Sequence, residues 1–246
     1  MASRKEQKAA LRAERERRAA EAAASARRKR MIGYVIGGGL ALAAVAAIVI
    51  AVAASGGGGG GSTANASKVF PKESIPPAKP GLTYAAAAKA AGCTVITHPA
   101  EGHTHVLGSV KYKTNPPSSG NHYPVPVHDG AYTKAPPVTH LVHALEHGRM
   151  IIWFKATAPP AVRGQLKALF DEDPSRIVLT PDTTGMPYMV AASAWTGDLQ
   201  HGGTVPEFGH VLGCPTMNAN VIQALRVFRS QFRGLGPEHQ YDNIPE

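Results

Sequence analysis

Val138-Thr139-His140-Leu141-Val142-His143-Ala144-Leu145-Glu146-His147-Gly148, followed at once by Met150-Ile151-Ile152-Trp153-Phe154-Lys155, is the stretch on which the fold class of this chain turns. Its first part reads as a short helix from about Val138 to His147. Gly148 closes it, because glycine takes the left-handed conformation that ends a helix at no steric cost. Its second part reads as a strand whose run Ile151-Ile152-Trp153-Phe154 is buried. Before it, a helix over Leu82 to Ala91 and a strand over Cys93 to Thr97 precede a long loop rich in His, Pro and Gly, His98 to Pro137. After it, Pro159-Pro160 opens a helix to Phe170. Arg176 to Thr180 and Tyr188 to Trp195 read as strands separated by a turn through Asp182-Thr183-Thr184-Gly185. A last helix, about Met217 to Phe232, brings Val221, Leu225, Phe228 and Phe232 to one face.

The expected class is therefore α+β, one α/β sandwich over residues 82–246, long enough at about 165 residues to bury its own core. After the first helix the order is strand, helix, strand, helix, strand, strand, helix. That element order is thioredoxin-like, and Pro187 stands just before the penultimate element, where such folds keep a cis-proline. The chain has no Cys-x-x-Cys, so exchange by a dithiol of that kind is excluded. A ferredoxin-like sandwich is the alternative.

Upstream, Arg27-Arg28-Lys29-Arg30 runs into an uncharged stretch from Met31 to Ala54. A bilayer core of roughly 30 Å needs about 20 apolar residues as a helix. Residues 31–54 are thus expected to be a single transmembrane helix, and the basic cluster is expected to hold the N-terminus in the cytoplasm. Cleavage as a signal peptide is the competing reading, although such apolar cores are shorter and follow a shorter leader. Residues 1–30 form a basic, helix-prone cytoplasmic tail with eleven Lys/Arg against four Glu, which takes most of the net charge of +9. Lipid beside the anchor explains that charge, and no nucleic-acid partner is implied. Residues 55–81, with six consecutive glycines and then Pro71, Pro76, Pro77 and Pro80, are expected to be a linker, which leaves residues 82–246 outside the membrane.

In an oxidising location the two cysteines, Cys93 and Cys214, are expected to form a disulfide. The competing reading makes Cys214 a thiolate metal ligand. Ten of the eleven histidines lie between His98 and His210. His143, Glu146 and His147 fall at i, i+3 and i+4, so all three share a helix face that His140 extends. Two imidazoles one turn apart can reach one divalent ion, with the carboxylate as ligand, outer partner or base. His103-Thr104-His105 and His122 add imidazoles from the loop. The expected metal set is His122, His143 and His147 with His103 or His105, supported by Glu146 and His140. Imidazole suits copper or zinc, and Met186 with Met189 would favour Cu(I) if both thioethers converged there. His143-Ala144-Leu145-Glu146-His147 also matches the H-x-x-E-H pattern of inverzincin peptidases, which would make Glu146 the base of a zinc hydrolase. No other catalytic residue is indicated.

Pro116-Pro117-Ser118-Ser119-Gly120-Asn121-His122, the HALEH helix with Gly148 and the strand containing Trp153 together resemble the domain-of-unknown-function 3105 family. The similarity runs from roughly Val95 to Arg233. It implies a membrane-anchored cell-envelope protein of the kind found mainly in actinobacteria, and it carries no established activity. Three functions stay open: a metal-binding ectodomain, an envelope interaction module with a structural histidine network and an envelope protein partner, and a hydrolase. The oligomeric state is equally open.

Overall fold

The computed structural model describes residues 67–198 and 205–238. Its architecture is α+β, built on one six-stranded mixed sheet. In chain order the elements are α1 Tyr84–Ala91, β1 Thr94–Pro99, β2 Gly130–Ala131, α2 Val138–Glu146, β3 Met150–Phe154, α3 Pro160–Glu172, β4 Ile177–Pro181, β5 Val190–Asp198, β6 Val205–Cys214 and α4 Ala219–Phe232. The sheet order is β1-β6-β5-β3-β4-β2. β3 runs parallel to β4 and β4 parallel to β2, whereas β5, β6 and β1 continue from β3 in antiparallel register.

Every residue of β3 is buried, which places it at the centre of a sheet covered on both faces. Met150, Ile152 and Phe154 pack with apolar side chains of α1, α3 and α4 on one face. Ile151 and Trp153 pack with Leu141, Val142, Ala144 and Leu145 of α2 on the other. Trp153 stays inside because its indole Nε1 donates to Ser193 Oγ at 2.8 Å, which satisfies the one polar atom it carries. Helix α2 ends as the sequence predicts: Gly148 has φ 78°, and Arg149 N donates to Ala144 O at 3.0 Å.

Four expectations need correction. Strand β6 is absent from the predicted order, yet it pairs with both β1 and β5 and joins the edge strand β1 to the rest of the sheet. Its Gly209 and Gly213 look like strand breakers, but each is there for space. A Cβ on Gly209 would stand 2.5 Å from Ser118 Oγ, and one on Gly213 would stand 2.3 Å from the Tyr188 ring. The cis peptide bond among the described residues is Asn115–Pro116, so Pro187 is not a cis-proline. From Val69 onward the supposed linker joins the domain. Phe70 is buried with Val69 and Ile75 against the core, and Gln223 holds Pro77 O and Lys79 N. Met186 and Met189 belong to the cores on opposite faces of the sheet, so their thioethers do not converge.

Cys93 and Cys214 form a disulfide with Cα atoms 4.3 Å apart, which ties the start of β1 to the end of β6. Cys214 is therefore no thiolate ligand. Among the described residues no helix is long and apolar enough to cross a membrane. The basic tail of residues 1–30 and the apolar run of residues 31–54 lie outside them.

Candidate metal centre

The long loop before α2 is laced into two neighbouring arms. Val106 N donates to His122 O at 2.8 Å and His122 N to Thr104 O at 3.1 Å, a parallel bridge that sets His105 beside His122. Asn121 Oδ1 accepts from Thr104 N, Ser119 Oγ accepts from Glu101 N, and Tyr112 OH donates to Asn121 O. Gly120 has φ 125°, and a Cβ there would meet the Tyr112 ring at 3.1 Å, so glycine is required at the turn that delivers His122. Tyr123 N donates to Thr139 O at 3.3 Å and fastens the loop to the first turn of α2.

Helix α2 brings His143 and Glu146 to the same place. His105, His122, His143 and Glu146 each offer one ligand atom, and these atoms all lie within 4.8 Å of one another. His122, His143 and Glu146 are 0 %, 3 % and 1 % exposed, while His105 stands at the exposed edge. His122 Nδ1 donates to Gly120 O at 2.8 Å, and His143 Nδ1 donates to Tyr123 O at 2.7 Å. A carbonyl can only accept, so each Nδ1 carries a proton and each Nε2 carries the ring's lone pair, the tautomer of a metal-ligating histidine.

The His122 Nε2 atom lies 2.9 Å from Glu146 Oε2. It is nevertheless a buried nitrogen without an aligned hydrogen-bond partner. At that distance the carboxylate forms an ion pair with the ring when the ring is protonated. Burial opposes charging of His122, but Glu146 outweighs it and moves the imidazole pKa up. Either a proton or a cation at Nε2 relieves the buried carboxylate. The His143 imidazole is pushed down to about 3, first by burial and then by the neighbouring imidazoles, so it is neutral at ordinary pH. Its Nε2 accepts from His147 Nε2 at 3.0 Å.

The remaining predicted residues occupy other positions. His147 abuts His143 but lies outside the group of four, and burial lowers its pKa. His140 stacks on Tyr123 with ring centroids 4.3 Å apart. His103 is 59 % exposed and its Nδ1 is 4.0 Å from Glu207 Oε1. His98 pairs with Ser118, and His210 lies between Thr97 and Thr196. Sequence reasoning missed Glu207 and Glu238. Glu207 accepts from Trp195 Nε1 at 3.1 Å, and Trp195 meets the His122 ring edge-on at 6.1 Å. The charge of Glu238 reaches both His122 and His147. Neither carboxylate has a local sequence signal: Glu207 sits on the unpredicted β6, and Glu238 lies beyond the last helix.

The two loop arms and α2 fall inside a stretch that known proteins share. Residues 103–208 match the family model described as a protein of unknown function, DUF3105. The chain resembles the DUF3105 family over that segment. All four convergent residues lie within the DUF3105 match, and both cysteines lie outside it. The DUF3105 description brings no activity with it. Comparisons with curated proteins and with solved structures found no match.

Proposed function

We propose that this protein is a membrane-anchored envelope protein whose outer domain holds one transition-metal ion, zinc or Cu(II), at His105, His122, His143 and Glu146. The observation that carries this reading is the buried His122 Nε2, held 2.9 Å from a buried carboxylate without an aligned hydrogen bond. Three imidazole nitrogens and one carboxylate oxygen are a donor set suited to a borderline divalent ion. A bound ion there would supply Lewis acidity, and these residues would orient it. The separated thioethers of Met186 and Met189 remove the argument for Cu(I).

Two further parts of the reading concern the anchor and the fold. The anchor is the apolar run Met31 to Ala54 behind Arg27 to Arg30. The fold is a thioredoxin-like sandwich, supported by the parallel β3-α3-β4 unit, with β5 antiparallel beside β3 and β6 antiparallel beside β5. A hydrolytic role for Glu146 is disfavoured by its burial at 1 % exposure.

Metal analysis of the full chain, purified without a histidine tag, tests the central point. About one Zn(II) or Cu(II) per chain is expected, and failure of calorimetry to detect either would return the cluster to a structural hydrogen-bonding role. For the anchor, protease added to intact cells should remove the region after Gly61 and spare a tag on Met1. Protection of the C-terminal domain would overturn the outside location.

A further inference from the structure

The four convergent groups are not held alike. His122 and His143 are buried, and each has its Nδ1 fixed by a backbone carbonyl. Glu146 is buried within α2. His105 is exposed, and among the described residues its ring makes no hydrogen bond. It touches the site only through ring contacts, 5.0 Å to His122 and 4.9 Å to His143 between centroids. Its position comes from a single isolated bridge in the loop, and Leu107, two residues on, is 81 % exposed. A ligand whose other nitrogen has no fixed partner loses little by turning away, whereas one tied to a carbonyl must break that bond to leave.

We propose that His105 is the exchangeable ligand, and that the position it fills on the ion is the one at which the site accepts an external monodentate nitrogen donor of imidazole type. The buried set His122, His143 and Glu146 keeps hold of the ion, and the solvent-facing edge admits the incoming ring. Two imidazoles and one carboxylate that leave positions open are a recurrent arrangement for ions that take outside ligands. The proposal rests on the metal reading above and adds where the site opens and what enters.

Co(II) is the probe, because its visible absorption reports the ligands around it, and the full chain is used without a histidine tag. Wild type is expected to give ligand-field bands at one Co(II) per chain. His105→Ala should keep the ion with affinity lower by at least about tenfold and with altered bands. Free imidazole should then restore the wild-type spectrum. His143→Ala, whose vacancy is buried, should not be restored by imidazole, and His103→Ala should leave the bands unchanged. A His105→Ala spectrum equal to that of wild type, one that imidazole does not move, or complete loss of Co(II) from that variant each overturns the exchangeable ligand. Wild type that gives no bands overturns instead the metal reading, so the two failures are distinct.

Discussion

His143 of α2 and His147, the residue that caps its end, face each other through their Nε2 atoms at 3.0 Å. Because His143 Nδ1 already donates to Tyr123 O, its Nε2 is the acceptor and His147 supplies the proton. An ion that takes the His143 lone pair must therefore displace that hydrogen bond. His147 competes with the ion before it can assist it, so spacing at i, i+4 does not by itself make two ligands.

Single replacements should separate these roles. His122→Ala and His143→Ala are expected to lower affinity for Zn(II) or Cu(II) by at least about tenfold, whereas His147→Ala, which removes the competing hydrogen bond, should not lower it. His128→Ala, at an exposed position on the same loop, should have no effect. Affinity should fall as pH is lowered, because Glu146 raises the His122 pKa and a proton at Nε2 excludes the ion. Isothermal titration at pH 8 and pH 6 measures this. Equal losses from all four variants, or affinity independent of pH, would contradict the assignment.

Glu146→Gln distinguishes a ligand from a base. The buried Oε2 sits beside His122 Nε2, so its loss should weaken metal binding by about 10- to 100-fold and release the constraint that raises the His122 pKa. No turnover of a peptide or ester library is expected from wild type. Metal-dependent hydrolysis that disappears in Glu146→Gln while metal stays bound would establish the peptidase-like alternative.

How much of this was legible in the sequence depends on whether the cause is local. The α2–Gly148–β3 unit is legible because helix periodicity, a glycine terminator and an apolar run are all short-range signals. The His143–Glu146 face follows from the same periodicity. The pairing of His105 with His122 is not legible, since it depends on hydrogen bonds between loop arms 17 residues apart in sequence. Strand β6 was hidden because its glycines answer to Ser118, His98 and Tyr188, residues far away along the chain. Phe70 is not legible as core because the prolines that follow it suggest an extended tether, whereas extended chain can also lie along a helix. Gly164 of α3 makes that room, since a Cβ there would stand 2.3 Å from Pro71 O.

His210 should make the fold acid-sensitive independently of any metal. It is 8 % exposed and hydrogen-bonded to Thr97 and Thr196, and burial with the nearby His98 charge pushes its pKa down to about 4. Between about 6.5 and about 4 the unfolded chain binds a proton there that the folded chain refuses, so stability is full above that window and falls with pH through it. The slope from this one group is at most about 1.4 kcal/mol per pH unit. His210→Gln should be less stable at pH 7 and yet lose less between pH 7 and pH 4.5 in denaturant unfolding. Parallel losses in the two proteins would show that His210 does not carry the effect.

The last described segment closes the far end of α2, and its sensitivity can be stated from one glycine. Gly234 N donates to Gly148 O at 2.8 Å and Glu238 N to Glu146 O at 2.9 Å, so this segment runs backbone to backbone along the helix terminus that carries the candidate ligands. A Cβ on Gly236 would stand 2.2 Å from Gly148 N and 2.3 Å from Glu146 O, and neither backbone atom can swing aside as a side chain can. Gly236→Ala should therefore push the segment off α2, at a cost of about 1–3 kcal/mol in stability. Moving Glu146 O shifts the residue whose carboxylate faces His122, so metal affinity should fall together with stability although no ligand has changed. Gly185→Ala, at a turn with φ 72° and open space around it, controls for glycine replacement as such: it should cost stability through strain and leave metal affinity intact. Gly236→Ala with wild-type affinity would mean that the segment covers the helix end without positioning the site.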